Sequence, residues 1–445
     1  MYNRLFLLGA LIFALPVFAD PAQSNVNYQH GDTYAVVNQL TQQAEIGDVN
    51  AMMKLGAMYS NGEIVTQNDV EATKWYTLAA AKGNSDAELF LGQAYESGRG
   101  MQRDPMLAAK WYLASAQQNN ANAKFFLGQL YDKGFGIKQD YQEAAKWYLA
   151  AAKQGVVNAM FSIANMYQNG QGVKRDPSEA VHWYTQAAQQ GHINAAFNLA
   201  LMYENGLGIS KQQSKAVYWY EFAAKKGDPQ SQFMMGLLYA SGKGVSQNFT
   251  QAADWYQKAA LQNYALAEYN LAQLYQAGLG VEKNPRTAYD WLLKAANAGL
   301  APAQYNLGLM YETGNSIPQN FQQAAAWYLK AANQNYAFAE MNLAYLYYAG
   351  KGVKQDLQAA ANLYFQAAMQ NNPVAQRSLG YFYMVGEGVP RDIERAYAWF
   401  AIASDGGDKE AQVALPLLIK TMTTSQLEQA QLMVTSYKNQ IRMKR

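Results

Sequence analysis

The chain has 445 residues, of which 50% are apolar, 13% aromatic and only 15% charged. This composition excludes a disordered chain and is sufficient for an extensive hydrophobic core. Lys and Arg number 35 against 33 Asp and Glu, and the net charge of +2 gives no general attraction to nucleic acid or to an anionic membrane. Cysteine is absent and there are only three histidines, so few residues are available for thiolate or zinc chemistry.

The N-terminus has the pattern of a secretory signal peptide. Arg4 precedes an apolar run over residues 5–18, and residues 17–19 form a small-x-small cleavage site before Asp20. The run is shorter than the roughly 20 residues that a membrane-spanning helix needs. We therefore predict that residues 1–19 are a signal peptide cleaved after Ala19, and that the mature chain is exported to the periplasm or secreted.

Ten positions spaced by 36 residues define an internal repeat. Their residues are Trp75, Trp111, Trp147, Trp183, Trp219, Trp255, Trp291, Trp327, Leu363 and Trp399. A fixed period without insertions is typical of a solenoid built from stacked units. We number these units as repeats 1 to 10 and predict that they occupy residues 51–410.

The tryptophan position is predicted to lie on the second helix of each repeat and in the core. Alanine stands three residues before it in all ten copies, and Ala-Ala commonly follows one turn later, so that another helix can approach closely. Asp or Asn stands seven residues before it in nine copies, with Gln212 as the exception, as expected for a helix N-cap. Gly or Asn eight residues after it is typical of a helix end.

A first helix is predicted before each second helix. It carries a central leucine, replaced by Ile163 and Met235 in two copies, then Gly or Ala, and then Tyr one turn later. Gly closes this helix in every copy and begins a turn of the Gly-x-Gly-Val type. The turn departs from this pattern at Ile64 and Ser316, where we expect the array to bend or a repeat to be weaker.

The complete unit resembles the Sel-one-like repeat, a relative of the tetratricopeptide repeat. Its pattern is Ala-x-x-x-Leu-Gly-x-x-Tyr-x-x-Gly-x-Gly-Val-x-x-Asp, followed by Ala-x-x-Trp-Tyr-x-x-Ala-Ala-x-x-Gly. The resemblance implies an all-α fold, a right-handed superhelical solenoid of antiparallel helix pairs with a 36-residue repeat. It also implies an adaptor or scaffold for protein complexes, with exported bacterial members linked to envelope assemblies, host-cell entry and virulence.

The N-terminal segment, residues 20–50, is predicted to contain a helix that covers the first repeat. Residues 33–46 follow the pattern of an orphan second helix, with Ala44 in register and Gly47 at the position that ends the helix. An array of stacked units needs such a cap because its end units otherwise expose their core.

The C-terminal segment, residues 411–445, is predicted to form capping helices and a basic tail. Another first helix begins at its start, but Pro416 occupies the small-residue position and the period stops there. Ser425 to Glu428 has the pattern of a capping box, which predicts a terminal helix from Leu427 to about Ile441.

Two rows of first-helix residues form the predicted partner-binding surface. The first row lies two residues before the central leucine and the second row lies two residues after it. At 100° per residue the first row faces away from the core of its own repeat, toward the groove of related solenoids. The predicted residues are Phe125, Phe161, Phe197, Phe233, Tyr269 and Tyr305 in the first row, and Leu201, Leu237, Tyr345 and Tyr381 in the second.

The first row has two interpretations, because nine of its ten residues are apolar on a nominally outward face. In one interpretation each ring packs against the next repeat and belongs to the core. In the other, these rings and the neighbouring leucines form an apolar groove edged by Gln and Asn that holds a partner helix or an extended peptide. Binding in such a groove would depend little on salt.

No motif indicates catalysis, a metal or a cofactor. The Gly-x-Gly turns follow a helix and lack the third glycine of dinucleotide-binding loops, and His182 and His192 have no Glu at metal-ligand spacing. We therefore predict a non-enzymatic adaptor that binds proteins and not nucleic acid. The alternative is a protein that binds peptidoglycan or regulates a wall-degrading enzyme, with sugars stacked on Tyr345, Tyr348 and Tyr381. A hydrolase would need catalytic groups that the repeats do not show.

Overall fold

The computed structural model describes residues 30–443, with side chains from residue 34, and these residues form 23 helices and no strand. The predicted signal peptide and the last two residues of the basic tail lie outside the described residues. Within residues 30–443 no helix is long and apolar enough to cross a membrane. The chain divides into two compact units, up to Arg175 and from Asp176 onward.

First and second helices alternate along the repeats. The first helices are α2 (Val49–Asn61), α4 (Ser85–Ser97), α6 (Ala121–Lys133), α8 (Val157–Asn169), α10 (Ile193–Asn205), α12 (Pro229–Ser241), α14 (Ala265–Ala277), α16 (Ala301–Thr313), α18 (Ala337–Ala349) and α20 (Pro373–Val385). The second helices are α3 (Asp69–Ala81), α5 (Pro105–Gln117), α7 (Tyr141–Ala152), α9 (Pro177–Gln189), α11 (Gln213–Lys225), α13 (Phe249–Ala260), α15 (Pro285–Asn297), α17 (Phe321–Ala332), α19 (Leu357–Met369) and α21 (Ile393–Asp405). The helix α1 (His30–Glu45) precedes them, and α22 (Lys409–Ile419) and α23 (Thr424–Met443) follow.

The predicted helix caps are confirmed. In nine repeats the Asp or Asn side chain accepts a backbone N–H of the second helix, as Asp104 does from Met106 at 2.9 Å. Gln212 is the exception and makes no side-chain cap. The Gly or Asn after each second helix has positive φ, between 58° at Asn335 and 98° at Gly227.

The closest contact within a repeat joins the small residue of the first helix to the aromatic residue after tryptophan. In repeat 2, a Cβ on Gly92 would lie 2.4 Å from the ring of Tyr112, so glycine permits this approach of the two helices. Tyr112 is fully buried.

Four tryptophans, at 111, 147, 219 and 291, are only half-buried, which differs from the predicted core position. Trp111 packs onto the core of the preceding repeat. It therefore lies at the margin of the contact between two adjacent repeats, which we call a joint.

In the first unit, α1 covers the first helix of repeat 1. Ala44 is buried, and Val37 and Leu40 pack against the cluster that contains Ala51 and Leu55 of α2. The helix begins at His30, three residues earlier than predicted.

In the second unit, the terminal helix begins earlier than predicted because the sequence contains two overlapping capping boxes. The box in use joins Thr423 and Gln426: the Thr423 N–H donates to Gln426 Oε1 at 3.0 Å, and the Gln426 N–H donates to Thr423 Oγ1 at 3.3 Å. The predicted box from Ser425 to Glu428 was therefore wrong by two residues.

The terminal helix α23 packs on α21 and does not act as the second helix of an eleventh repeat. At the second-helix register it carries Leu432 at the invariant alanine position and Thr435 at the tryptophan position, so it cannot approach α22 closely. Tyr437 instead stacks on Trp399 with ring centroids 4.5 Å apart, and Ile441 is buried in the same cluster. Trp399 is consequently fully buried.

Candidate interaction surface

In the first unit, the first-row side chains Phe125 and Phe161 are buried or half-buried among the helices and do not project into solvent. Phe125 is 8% exposed, and its ring lies 5.8 Å from the ring of Tyr148, the residue after tryptophan in the same repeat. Phe161 is half-buried. Phe125 therefore contributes mainly to the packing within its own repeat.

In the second unit, the same ring contact recurs. Phe197 lies 5.7 Å from Tyr220, and Phe233 lies 5.8 Å from Tyr256, both within one repeat. Phe233 also lies 5.3 Å from Tyr264, which stands where the next first helix begins.

Farther along the second unit, Tyr305 repeats this arrangement with Tyr328 at 5.7 Å and Tyr336 at 5.5 Å. Tyr269 is half-buried, and its hydroxyl accepts a hydrogen bond from Asn306 at 3.0 Å. These contacts favour the core interpretation of the first row, with the second helix of the same repeat as an additional partner.

The second row is more open, and its large apolar and tyrosine side chains are most exposed in repeats 8 to 10. Leu201 and Leu237 are half-buried, whereas Tyr345 is 41% and Tyr381 38% exposed. Leu309, at the same register in repeat 8, is 37% exposed and was missed as a site residue, although the row itself contains it. We call Leu309, Tyr345, Tyr348 and Tyr381 the exposed strip; all four lie on the first helices of repeats 8 to 10.

The exposed strip is supported from below by aromatic rings. Tyr381 meets Phe400 edge-on at 4.9 Å, and Tyr348 lies 5.6 Å from Phe382. The Lys351 ammonium donates to the Tyr345 hydroxyl at 3.1 Å. These contacts fix the rings while leaving more than a third of each tyrosine side chain accessible.

The first row ends in a charged residue next to the strip. Arg377 takes the place of an aromatic residue in repeat 10 and forms ion pairs with Asp408, at 3.7 Å, and with Glu410. Its charge is thus compensated within the chain, and the strip itself contains no ionised carboxylate or guanidinium.

In several repeats a hydrogen bond between a tyrosine of the second helix and a carboxylate of the first helix joins the two helices. The Tyr112 hydroxyl donates to Glu96 at 2.7 Å, and the Tyr220 hydroxyl donates to Glu204 at 2.8 Å. Burial, reinforced by the carboxylate, raises the pKa of both tyrosines far above the ordinary value, so they stay neutral donors. The sequence signal that we missed is an acidic residue five positions after the central leucine.

Of the two histidines whose side chains are described, His182 and His192, neither belongs to a cluster of metal-ligating groups. His192 is the N-cap of α10, and its Nδ1 accepts the Ala195 N–H at 3.1 Å, while burial lowers its pKa. Within the described part of the chain, no group of three or more His, Asp or Glu could hold a metal ion.

The comparison with protein families agrees with the repeat found in the sequence. Ten consecutive segments match the Sel1 repeat, at residues 49–84, 85–120, 121–156, 157–192, 193–228, 229–264, 265–300, 301–336, 337–372 and 373–408. The chain therefore belongs to the Sel1 repeat family, which confirms the predicted resemblance and the all-α fold of paired helices. This fold indicates a scaffold for protein–protein interaction.

Two solved structures are similar over most of their length. One is a protective antigen of uropathogenic Escherichia coli strains that displays an SLR fold, with 32% identity, a TM-score of 0.65, and coverage of 91% of this chain and 95% of the antigen. The other is a Sel1 repeat protein from Oxalobacter formigenes, with 30% identity, a TM-score of 0.56, and coverage of 83% and 98%. No curated protein matches the sequence significantly.

Proposed function

We propose that this chain is an exported, non-enzymatic adaptor that binds protein partners through the first-helix face of its repeats. The exposed strip carries the proposal, because its four large side chains are each 37–41% exposed on the first helices of consecutive repeats. Accessible apolar and tyrosine side chains held by buried rings are typical of the anchor residues of protein interfaces.

The remaining predicted residues would extend this surface. Leu201 and Leu237 continue the second row, and Phe197, Phe233, Tyr269 and Tyr305 lie beside it in the second unit as a supporting layer. Phe125 and Phe161 occupy the same register within the first unit. Packed helices lie roughly 8–10 Å apart, so rows on successive first helices offer anchors at intervals that suit an extended peptide or a helix. The four residues of the strip are uncharged, so binding would change little with salt apart from a contribution of Lys351 beside Tyr345.

The test is capture of partners with the chain from residue 20 as bait, cross-linked in the native envelope and in host-cell lysate and identified by mass spectrometry. Tyr345→Ser with Tyr381→Ser is expected to lower recovery of a specific partner at least tenfold, because two anchors of more than about 1 kcal/mol each are lost. The matched control is Tyr218→Ser, on a second helix and also well exposed.

The control should keep the thermal stability of the parent. The double variant should lose only a small part of it, because Tyr345 is 41% and Tyr381 38% exposed while each also contacts a neighbouring side chain. A partner captured equally by the parent and the double variant would contradict the exposed strip as the binding surface. Unfolding of the C-terminal repeats in the double variant would assign the strip to the core instead.

Export rests on the N-terminal pattern and is supported by the antigenic relative in Escherichia coli. The expected mature N-terminus is Asp20, and N-terminal sequencing of the protein from periplasm and culture medium tests it. An uncleaved chain recovered from the cytoplasm would contradict export. By the same resemblance we propose a role in envelope complexes or in host interaction and virulence.

A second candidate function is binding of peptidoglycan, or regulation of an enzyme that degrades it. The observation that favours it is the accessible ring and hydroxyl of Tyr345, Tyr348 and Tyr381, because tyrosine stacks on sugar rings. Co-sedimentation with isolated sacculi distinguishes the two functions. Sedimentation that is lost in Tyr345→Ser with Tyr381→Ser would favour the wall ligand over a protein.

A further inference from the structure

One register of the first helices carries buried polar side chains. It lies three residues before the central leucine and joins each first helix to the second helix of the preceding repeat. The polar residues there are 0–8% exposed: Glu88, Lys124, Gln232, Glu268, Gln304, Glu340 and Gln376. Burying a polar group costs free energy unless the group is hydrogen-bonded. The hydrogen bonds of these side chains therefore show whether the buried polar atoms at each joint have partners.

Glutamine at this register makes the same inter-repeat hydrogen bond each time. Its Nε2 donates to an alanine carbonyl on the preceding second helix, at 3.1–3.2 Å, in the pairs Gln232–Ala224, Gln304–Ala296 and Gln376–Ala368. The amide therefore adds a hydrogen bond between repeats to a carbonyl that also accepts a backbone N–H, as Ala224 does from Gly227 at 3.0 Å.

A second glutamine, seven residues after the tryptophan position, commonly supports this register. It donates at 2.8–2.9 Å in the pairs Gln118–Glu88, Gln262–Gln232, Gln334–Gln304 and Gln370–Glu340. A glutamate at the register thus receives an amide donor in repeats 2 and 9.

Glu268 in repeat 7 lacks this support. The residue seven positions after Trp291 is Ala298, so no amide reaches the carboxylate. Glu268 is 2% exposed, and its Oε2 has no hydrogen-bond partner within residues 30–443. Ionised Glu268 also cannot donate to the Ala260 carbonyl, which is the acceptor that its register predicts.

The charged groups on the two helices that pack against α14 compensate Glu268 only in part. On α15, the Lys294 charge acts on Glu268, but its ammonium lies 4.1 Å from the ring of Trp291 and is exposed. Arg286 of the same helix pairs with Asp290. On α13, Lys258 lies over Trp255 and Asp254 is exposed.

We propose that Glu268 makes the joint between repeats 6 and 7 pH-sensitive, because the protonated carboxyl can donate to the Ala260 carbonyl as glutamine does and the ionised form cannot. Burial raises the pKa of Glu268 above the ordinary value of 4.5, although Lys294 opposes the shift. The contribution to stability is therefore complete below the ordinary pKa and is lost as the pH rises through the pKa of the folded chain.

Hydrogen exchange of the whole chain, followed by mass spectrometry, tests this joint. Glu268→Gln supplies a permanent donor of similar shape, and we expect the α14 amides to exchange about fivefold more slowly than in the parent at pH 7.5. At pH 4 parent and variant should exchange at the same rate, since the parent carboxyl is then protonated.

Two further variants serve as matched controls. Ala298→Gln gives Glu268 the amide that Gln118 gives Glu88, and it should slow the exchange of α14 at pH 7.5. Gln304→Glu combined with Gln334→Ala transfers the unsupported carboxylate to repeat 8, because Gln334 is the amide that donates to this register there, and it should make α16 exchange faster at pH 7.5 but not at pH 4. A ratio of parent to Glu268→Gln exchange that is the same at both pH values, including a ratio of one, would overturn the proposal.

Discussion

At the scale of single residues, the second glycine of the turn between first and second helix shows why the repeat tolerates so little change. In repeat 9, Gly352 has φ of +71°, and a Cβ there would lie 2.2 Å from the carbonyl carbon of Phe321, at the start of the preceding second helix. Glycine is needed at this position for two reasons: the backbone is in the left-handed conformation, and it lies in direct contact with the backbone of the preceding helix. Repeat 8 has Ser316 here, a residue with a Cβ, in the same left-handed conformation with φ of +70°.

Gly352→Ala is therefore expected to destabilise the chain by about 2–4 kcal/mol, combining a left-handed alanine with overpacking at a joint. The matched control is Gly83→Ala, because Gly83 has φ of +80° but no atom within 4 Å of the added Cβ. The control should cost only about 1 kcal/mol. Urea unfolding of both variants measures the difference, and equal losses would show that the close contact is unimportant.

At the scale of helices, α23 ends the array by covering a tryptophan and not by adding a repeat. In the preceding repeats the position three residues after tryptophan is commonly polar, as with Lys258, Lys294 and Lys330. In repeat 10 it is Ile402, which is buried together with Trp399 beneath Tyr437 and Ile441. Leu78 and Phe222 are apolar at the same register in repeats 1 and 5, so this position alone does not predict the covering helix.

We expect Tyr437→Ser with Ile441→Ser to destabilise the C-terminal repeats by about 3–5 kcal/mol, because both changes remove buried apolar contacts and one aromatic stack. Leu432→Ser, on the same helix but largely exposed, is the control and should change stability by less than about 0.5 kcal/mol. Hydrogen exchange should rise first in α19 and α21. Unchanged hydrogen-exchange protection of α19 and α21 would mean that α23 does not stabilise the last repeats.

At the scale of the whole molecule, stability is distributed over ten similar repeats. Buried tyrosines are likewise distributed along the repeats. Burial raises the pKa of Tyr256 and of Tyr364 to about 12, from an ordinary value of 10. Other tyrosines after tryptophan are shifted in the same direction by burial. Because such tyrosines occur in both compact units, high pH acts on each unit.

Alkaline titration tests this distribution. A raised pKa in the folded chain means that the neutral form stabilises it, so this stability is present below pH 10 and is lost as the pH rises through about 12. We expect the tyrosinate absorbance of the buried class to rise together with loss of the helical circular dichroism near pH 12. Ionisation of these tyrosines while the helices are intact would contradict their burial.

The period, the helix boundaries near each cap and the family follow from the amino-acid sequence, because capping, turn formation and close helix contact each need particular residues at fixed spacing. Asp104, Gly92 and Gly352 illustrate these three local demands. Since all are satisfied within one repeat or its neighbour, ten copies of the pattern were enough to predict the arrangement of paired helices.

The packing between helices determines which apolar residues are accessible and which polar residues are unpaired. Phe125 and Tyr345 both lie on first helices at predicted site positions, yet one is covered by Tyr148 and the other is open. Glu268 resembles Glu88 in register, and the difference lies in whether the next helix brings a glutamine to it. Exposure and hydrogen bonding depend on neighbours from other helices, and periodicity along one helix does not specify those neighbours.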